Sequence, residues 1–251
     1  YAPGKTLENL QEEIEGYIRR GFTAFKMKIG RTSNNHKMRL QFMNNGDFYL
    51  TPEEDKARIE LVRRTIGPDK TLMVDMNCTW DLDDVLNAKE FFVQNDIFMV
   101  EEPIRSDDTA GYIRLTKELG GIKVAGIESE QGVSRFAELI KADAMDVVQA
   151  SLGWAGGFTG CRNIASTAHA FNKLYTPHSF FSAVMTAANI QFAASQVNIP
   201  FIEAEENENP LRTELLKEPI ETDEHMNYYI TDKPGLGIEL DLDVIEKYII
   251  K

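Results

Sequence analysis

The sequence predicts an α/β fold, a (β/α)8 barrel of the TIM type, and three observations lead to this class. Short apolar runs alternate with longer stretches that carry helical spacing. Most of the apolar runs end in a polar residue. These polar residues recur at steps of 23 to 27 residues, which is the period of one strand plus one helix.

Seven runs along the chain are typical of strands. They read TAFKMKI, TLMVDMN, IFMVEEP, KVAGIES, DVVQAS, KLYTPHS and PFIEAEE. The opening residues YAP fit the end of one further strand, so the count reaches the eight strands of a closed barrel. A doubly wound open sheet is the alternative, although no GxGxxG or Walker glycine loop follows any of the runs.

The segments between the strands carry helix signals. In residues 51–67, Thr51 precedes Pro52 and two glutamates, ahead of an apolar stripe. From Lys28 to Asp75 the step is 47 residues, which is about 20 more than one strand–helix unit needs. The polar, asparagine-rich stretch 31–50 supplies the excess. We therefore predict an insertion loop at 31–50 that is mobile or forms a lid.

Composition excludes several functional classes. The 251 residues carry a formal net charge of -13, which argues against a nucleic-acid partner. The longest apolar runs are interrupted by charge and are too short to span a membrane. Cys78 and Cys161 form neither a CxxC motif nor a disulfide framework, which favours a reducing compartment, and we expect the cytoplasm.

Three carboxylates end three successive predicted strands. They are Asp75 in VDMN, Glu101 in VEEP and Glu128 in GIES. At the mouth of a barrel the three would converge, and like charges that close need a cation. Hard oxygen donors favour Mg2+, with Mn2+ as a substitute, over zinc. Taken singly, each acid has a plainer interpretation as a surface or loop-capping group.

Two lysines occupy the first run. Side chains alternate along a strand, so Lys26 and Lys28 share one face. A desolvated lysine needs a negative partner, and a lowered pKa would make one of the pair a usable base. The alternative is an exposed edge strand on which lysines prevent edge-to-edge pairing.

These motifs, KMK, VDMN, VEEPI, AGIES and the PH that follows LY, resemble the enolase superfamily in order and period, specifically its mandelate racemase/muconate lactonizing enzyme branch. The resemblance implies the modified (β/α)7β form of the barrel. It also implies roles for six residues: Asp75, Glu101 and Glu128 as Mg2+ ligands, Lys28 as the base, Lys26 beside it holding the substrate carboxylate, and His178 as acid or base on the opposite face.

Three further residues are predicted to bind substrate. Asn77 lies two positions beyond Asp75 on the same strand face. The resemblance implies that Glu203 hydrogen-bonds the substrate carboxylate. Ser151 stands where relatives that pair their histidine with an acid carry the aspartate of a QPD-like sequence. Without that carboxylate, His178 loses an orienting partner and becomes a poorer base and a better acid.

The predicted activity is a Mg2+-dependent dehydration of a sugar acid. Lys28 removes the proton α to the carboxylate, and His178 protonates the leaving 3-hydroxyl, which gives a 2-keto-3-deoxy acid. Three alternatives stay open: a racemase or epimerase acting on an α-hydroxy acid, a catalytically silent barrel that binds an acid or a metal, and a Schiff-base aldolase that would leave the three carboxylates unexplained.

The resemblance also predicts the organisation of the chain. Residues 1–215 are assigned to the catalytic barrel, and residues 216–251 to a segment that packs on an N-terminal capping domain that this chain lacks. The expected partner is a small-molecule carboxylate substrate, with no nucleic acid and no membrane. By analogy with relatives, we expect a homo-oligomer.

Overall fold

The computed structural model describes residues 6–30 and 51–250. The predicted loop at 31–50 and the residues YAP lie outside this part of the chain. The chain divides into two compact units, the first formed by Tyr1–Ile127 and Ala142–Val147, and the second by Glu128–Lys141 and Val148–Lys251. The predicted division at residue 215 stays a prediction.

The first unit alternates helices and strands. Its elements are α1 (Leu7–Arg19), β1 (Ala24–Lys28), α2 (Pro52–Ile66), β2 (Thr71–Asp75), α3 (Leu82–Asn87), α4 (Lys89–Gln94), β3 (Ile97–Glu101), α5 (Thr109–Glu118) and β4 (Lys123–Gly126). Strands β1 to β4 pair in parallel, each with the next. Parallel neighbours joined by helices are the βαβ arrangement that the sequence predicts.

Helix α2 shows how local sequence sets the bounds of an element. Thr51 caps its N-terminus and forms a capping box with Glu54, because the Thr51 hydroxyl accepts from the Glu54 N–H while the Glu54 carboxylate accepts from the Thr51 N–H. Pro52 occupies the first turn, and Gly67 ends the helix with φ of 76°. The helix predicted at this position is confirmed.

The core of the first unit lies between its strands and helices. Leu72, Val74, Val100 and Val124 are fully buried on the strands, as is Tyr112 on α5. Because both faces of a parallel sheet are covered, these strands read as nearly continuous apolar runs. The packed strands fix the positions of the charged residues at their ends, Asp75 and Glu101.

The second unit contains the remaining helices and short strands. They are α6 (Val133–Lys141), β5 (Val147–Val148, where the chain passes from the first unit to the second), α7 (Gly157–Ala170), β6 (Leu174–Tyr175), α8 (Ala183–Ala194), α9 (Pro210–Thr213) and α10 (Leu242–Tyr248). The sheet order is β1-β2-β3-β4-β5-β6, which is the order of the strands along the chain. The predicted α/β class is confirmed.

The predicted strands of the second unit are shorter than expected. Only Leu174–Tyr175 of KLYTPHS is strand, and residues 201–206 of PFIEAEE belong to no strand. The Tyr175 N–H on β6 donates to the Asn198 carbonyl at 2.9 Å. This backbone contact of β6 is therefore made by a residue that precedes PFIEAEE. An apolar run predicts burial, but a strand also needs backbone partners over its length. Among the described residues, no helix is long and apolar enough to cross a membrane.

Candidate active site

Two predicted metal ligands lie side by side at the strand ends of the first unit. Asp75 ends β2, Glu101 ends β3, and the two residues are register partners. Asp75 is 0% exposed and Glu101 is 1% exposed. Two adjacent buried carboxylates repel each other unless positive charge lies close to them.

The two lysines of β1 supply that positive charge. Lys28, the register partner of Asp75, makes a close ion pair with its Oδ2. The Lys26 Nζ lies 2.5 Å from Glu101 Oε1 and 3.7 Å from Asp75 Oδ2. Both lysines therefore point to the same carboxylates, as the strand alternation predicts. Their partners in the structure are the protein carboxylates Asp75 and Glu101. The resemblance instead implies that Lys26 contacts the substrate carboxylate.

The environment of Asp75 keeps it ionised. Burial raises its pKa, but the charges of Lys28 and Lys26 and hydrogen bonds from Lys28 and the Asn77 N–H outweigh burial and lower the pKa to about 2. The Asn77 N–H donates to Asp75 Oδ1 at 2.8 Å, and its Nδ2 lies 3.4 Å from Oδ2. Asn77 has φ of 46°, a left-handed conformation that asparagine tolerates. In this structure Asn77 supports Asp75, and its predicted contact with substrate stays a prediction.

The donor chemistry of the predicted metal site suits a hard cation. Asp75 and Glu101 offer only oxygen atoms, which are the ligands that Mg2+ prefers. Because both carboxylates are buried, a nearby cation would stabilise their negative charge. The third predicted ligand, Glu128, belongs to the second unit. Across residues 6–30 and 51–250, no three or more His, Cys, Asp or Glu side chains form a group arranged to hold a metal ion. The three-ligand site therefore stays a prediction.

In the second unit, Glu128 meets His178. The His178 Nε2 lies 3.3 Å from Glu128 Oε1, and the histidine is 7% exposed. The backbone changes direction before Glu128, because Ile127 has φ of 61°. The Glu128 carboxylate therefore contacts one edge of the imidazole.

Glu203 contacts the backbone next to the same histidine. Its Oε2 accepts from the N–H of Ser179, the residue after His178, at 2.5 Å. The Asn189 side-chain amide on α8 lies 3.5 Å from the His178 carbonyl. The short strand β6 and these contacts position the loop that carries His178, while the predicted role of Glu203 toward substrate stays a prediction.

Ser151 is fully buried and organises a turn. Its hydroxyl accepts from the Gly153 N–H at 3.2 Å, and its carbonyl accepts from the N–H groups of Trp154 at 3.1 Å and Ala155 at 2.8 Å. The Tyr175 hydroxyl donates to the Ala150 carbonyl at 2.6 Å, which holds the start of the turn. These contacts suit a structural residue, and the predicted substrate contact of Ser151 stays a prediction.

Two aromatic residues beside His178 are absent from the sequence-based site. The Trp154 ring stacks on the imidazole with centroids 5.5 Å apart and planes inclined by 22°. Phe181 meets the imidazole edge-on at 5.6 Å. The signal available in the sequence was a tryptophan between small residues, SLGWAGG, directly after a predicted strand. The sequence-based site was chosen from polar and ionisable residues at the ends of predicted strands, and a tryptophan is neither.

The described residues thus assemble two groups of predicted site residues. The group in the first unit comprises Lys26, Lys28, Asp75, Asn77 and Glu101. The group in the second unit comprises Glu128, Ser151, His178 and Glu203, together with Trp154 and Phe181.

Comparison with known proteins places this arrangement in a family. A family model described as "Enolase C-terminal domain-like" matches residues 9–244. An arabinonate dehydratase from Saccharolobus solfataricus is 30% identical over 251 residues, which are 100% of this chain and 62% of that protein.

Two solved structures are similar along nearly the whole chain. One is the 3,6-anhydro-D-galactonate cycloisomerase from Zobellia galactanivorans, with a TM-score of 0.85 and 30% identity over 98% of this chain and 64% of that one. The other is a racemase from Streptomyces coelicolor with bound magnesium, with a TM-score of 0.79 and 25% identity over 96% and 59%. The chain therefore spans about three fifths of the length of these relatives.

Proposed function

Since the chain belongs to the enolase C-terminal domain-like family, in the mandelate racemase/muconate lactonizing enzyme branch of the enolase superfamily, we propose that the full-length protein is a Mg2+-dependent sugar-acid dehydratase. The reaction removes the proton α to a carboxylate and expels the 3-hydroxyl as water. A 2-keto-3-deoxy acid is the product.

Lys28 is the proposed base. Its ammonium lies against Asp75 Oδ2 at the end of the strands and is still 32% exposed, so it can be reached by a ligand. Lys26 adds a second positive charge two residues away on the same face. We assign removal of the α proton to Lys28, because a base must lie within reach of the substrate carbon.

His178 is the proposed acid. Its imidazole is buried, and its Nε2 lies 3.3 Å from Glu128 Oε1. A protonated imidazole donates a proton to a departing hydroxyl at neutral pH, where water is a poor acid. The two proposed proton-transfer groups thus have opposite tasks: Lys28 takes a proton and His178 gives one.

The predicted ligands of Mg2+ are Asp75, Glu101 and Glu128. When bound, the ion supplies positive charge that stabilises the negative charge developing on the substrate carboxylate oxygens. Asn77 keeps the Asp75 carboxylate in one orientation through its N–H at 2.8 Å. The magnesium in the Streptomyces coelicolor racemase structure, at 25% identity, supports the assignment.

One observation carries the proposal. A lysine pair on one strand face meets two adjacent buried carboxylates at the ends of neighbouring parallel strands. Two partly exposed lysine side chains and two buried carboxylates form a balanced polar cluster that a purely structural strand end does not need. Similarity to an arabinonate dehydratase supports a sugar acid as the substrate class.

The test is proton NMR of the full-length protein with Mg2+ in D2O, against a panel of aldonates and aldarates. We expect a new 3-deoxy methylene signal that disappears with EDTA and in Lys28→Ala. Lys217→Ala is the matched control, because Lys217 pairs with Glu239 on an exposed surface, and it should retain activity. No spectral change with any acid would contradict the proposal.

A second candidate is isomerisation. Removal of the same α proton leads to inversion if the proton returns from the other face, and to ring opening if the expelled β oxygen belongs to a ring. Similarity to the cycloisomerase from Zobellia galactanivorans favours including anhydro-sugar acids and lactones in the panel. Product mass separates the outcomes, since dehydration loses water and isomerisation does not.

A further inference from the structure

The imidazole of the proposed acid packs against two aromatic rings, and all three rings contact one another. Trp154 and His178 lie 5.5 Å apart, His178 and Phe181 lie 5.6 Å apart, and Trp154 and Phe181 lie 5.5 Å apart, all between ring centroids. The tryptophan is nearly parallel to the imidazole, whereas Phe181 is inclined to both rings by 78° or 79°. Stacked and edge-on contacts are the two favourable geometries of aromatic pairs, so this cluster defines the plane of the imidazole.

The backbone that presents Trp154 is fixed from both sides. Ser151 accepts three hydrogen bonds from the turn, as described above. On α7, Gly160 packs so closely that a Cβ would collide with the Ala155 carbonyl oxygen. A Cβ at Gly153 would lie 3.2 Å from Met185 Cε, which is a tight contact, and 3.6 Å from Phe181 Cζ. Trp154 is thus held by a turn and not by a freely moving loop.

The exposure of the stacked pair is unequal. Trp154 is 40% exposed, whereas His178 is 7% exposed. The indole is partly in contact with water, and it stacks on the buried imidazole. It therefore shields the imidazole from solvent. A tryptophan that served only the core would be expected to bury more of its surface.

Glu128 by itself does not define the imidazole plane. Its Oε1 lies 3.3 Å from Nε2, and a contact to one ring atom does not set the orientation of the ring plane. Rotation would move the proton that His178 delivers. The indole lies nearly parallel to the imidazole with centroids 5.5 Å apart, so rotation of the imidazole would break this stacked contact.

We propose that Trp154 is a positioning residue for His178, stacked on the imidazole to fix the plane in which it delivers its proton. This inference rests on the proposed function and adds a residue to it. Trp154 acts through His178, and Phe181 contacts both rings edge-on.

The first measurement follows turnover by the full-length protein with Mg2+. We expect Trp154→Ala to lower kcat between about tenfold and about a hundredfold, because a displaced acid transfers its proton less often. KM should change little. The exchange of the C2 proton for deuterium should increase relative to product, because Lys28 still removes the proton.

Three variants separate stacking from simple cover. Trp154→Phe keeps an aromatic face and should restore kcat to within about threefold, while Trp154→Leu keeps apolar volume and should behave like Trp154→Ala. Phe158→Ala is the control, because Phe158 is also an exposed aromatic of this region but pairs with Phe192. It should leave kcat unchanged.

The second measurement needs no turnover. At one fixed pH, the ring-proton NMR signals of His178 are expected upfield of their ordinary positions, because the indole lies over the ring. They should return toward ordinary positions in Trp154→Leu and remain upfield in Trp154→Phe. The chain has four histidines, so His178→Gln assigns the signals.

The outcomes distinguish the two proposals. If the wild-type protein converts no acid but the His178 signals shift in Trp154→Leu, the proposed function fails and the positioning contact stands. Unchanged His178 signals in Trp154→Leu would overturn the positioning role. A higher KM with unchanged kcat would also overturn it, because that result means that the indole binds substrate. If Trp154→Ala does not fold, the comparison of Trp154→Phe with Trp154→Leu decides.

Discussion

In the first unit, the candidate site residues lie on or just beyond neighbouring parallel strands and meet as opposite charges, whereas in the second unit they lie in loops held by aromatic rings and backbone hydrogen bonds. Strand register places Lys28 beside Asp75 and Asp75 beside Glu101. No comparable register places His178, whose surroundings are a stacked Trp154 and an accepting Glu128.

Different forces hold the site residues of the two units in place. The charged group of the first unit is fixed by a sheet whose core strands are fully buried, and its cost of desolvation is offset by ion pairs. The second group depends on close approach at glycine and on ring contacts. We expect substitutions of charge to affect the first group most, and substitutions of size to affect the second.

The largest effect on stability is expected from Lys26→Met. The Lys26 Nζ lies 2.5 Å from Glu101 Oε1, and the Glu101 side chain is 1% exposed. Removal of the ammonium weakens the compensation of a buried negative charge. We expect the free energy of unfolding to fall by about 3 kcal/mol, measured by urea denaturation of the full-length protein with EDTA present.

The matched control is Lys217→Met. Lys217 Nζ lies 3.3 Å from Glu239 Oε2, and both side chains are more than half exposed. Its removal should lower the free energy of unfolding by less than about 1 kcal/mol. Equal losses in the two lysine variants would show that the buried pair is not what distinguishes the first group.

Two helical glycines give the next effect, with opposite signs. At Gly160 on α7, a Cβ would collide with the Ala155 carbonyl oxygen, and Gly160→Ala should destabilise the protein by about 2 kcal/mol. At Gly16 on α1, a Cβ would lie 3.8 Å from Arg19 Nη2, and Gly16→Ala should stabilise by about 0.5 kcal/mol. Thermal unfolding measures both, and a stabilised Gly160→Ala would refute the close packing of the turn.

A smaller effect is expected from Ser151→Ala. The lost hydroxyl accepts from the Gly153 N–H at 3.2 Å, so this N–H loses its side-chain partner in the turn. The free energy of unfolding should fall by about 1 kcal/mol in urea denaturation. Ser195→Ala, which removes a hydroxyl donating to the Phe192 carbonyl at the exposed end of α8, should cost less than about 0.5 kcal/mol. A larger loss in Ser195→Ala would contradict the role of Ser151 in the turn.

The smallest perturbation is chemical labelling, which compares local opening of the two units. Cys161 on α7 is fully buried, and burial raises its pKa although a hydrogen bond with Tyr175 acts in the opposite direction. A raised pKa means less thiolate at a given pH. We expect iodoacetamide at pH 8 to modify Cys161 in the native protein at least about tenfold more slowly than in the urea-unfolded chain.

Cys78 provides the internal comparison, since it lies beside β2 in the first unit and is 9% exposed. Mass spectrometry of peptides resolves the two cysteines. Faster native labelling of Cys161 than of Cys78 would mean that the second unit opens more readily than its packing indicates.

Much of the fold was predictable because its signals are local. The capping box at Thr51 and Glu54, Pro52 in the first turn and Gly67 at the end set α2 without reference to the rest of the chain. The strands β1 to β4 were identified by apolar runs that end in charge. Residues 201–206 were predicted wrongly as a strand, because an apolar pattern does not reveal whether backbone partners are present.

From the sequence alone follow the α/β class, the order of the strands, the position of Asp75 and Glu101 at strand ends and the shared strand face of the two lysines, since these depend on periodicity and alternation along the chain. Only the tertiary structure decided that Lys26 and Lys28 pair with those carboxylates, that Ser151 organises a turn and that Trp154 covers His178. The physical reason is distance along the chain. Contacts between residues far apart in sequence depend on register, on loop conformation and on the space that glycine leaves, and a one-dimensional pattern records none of these.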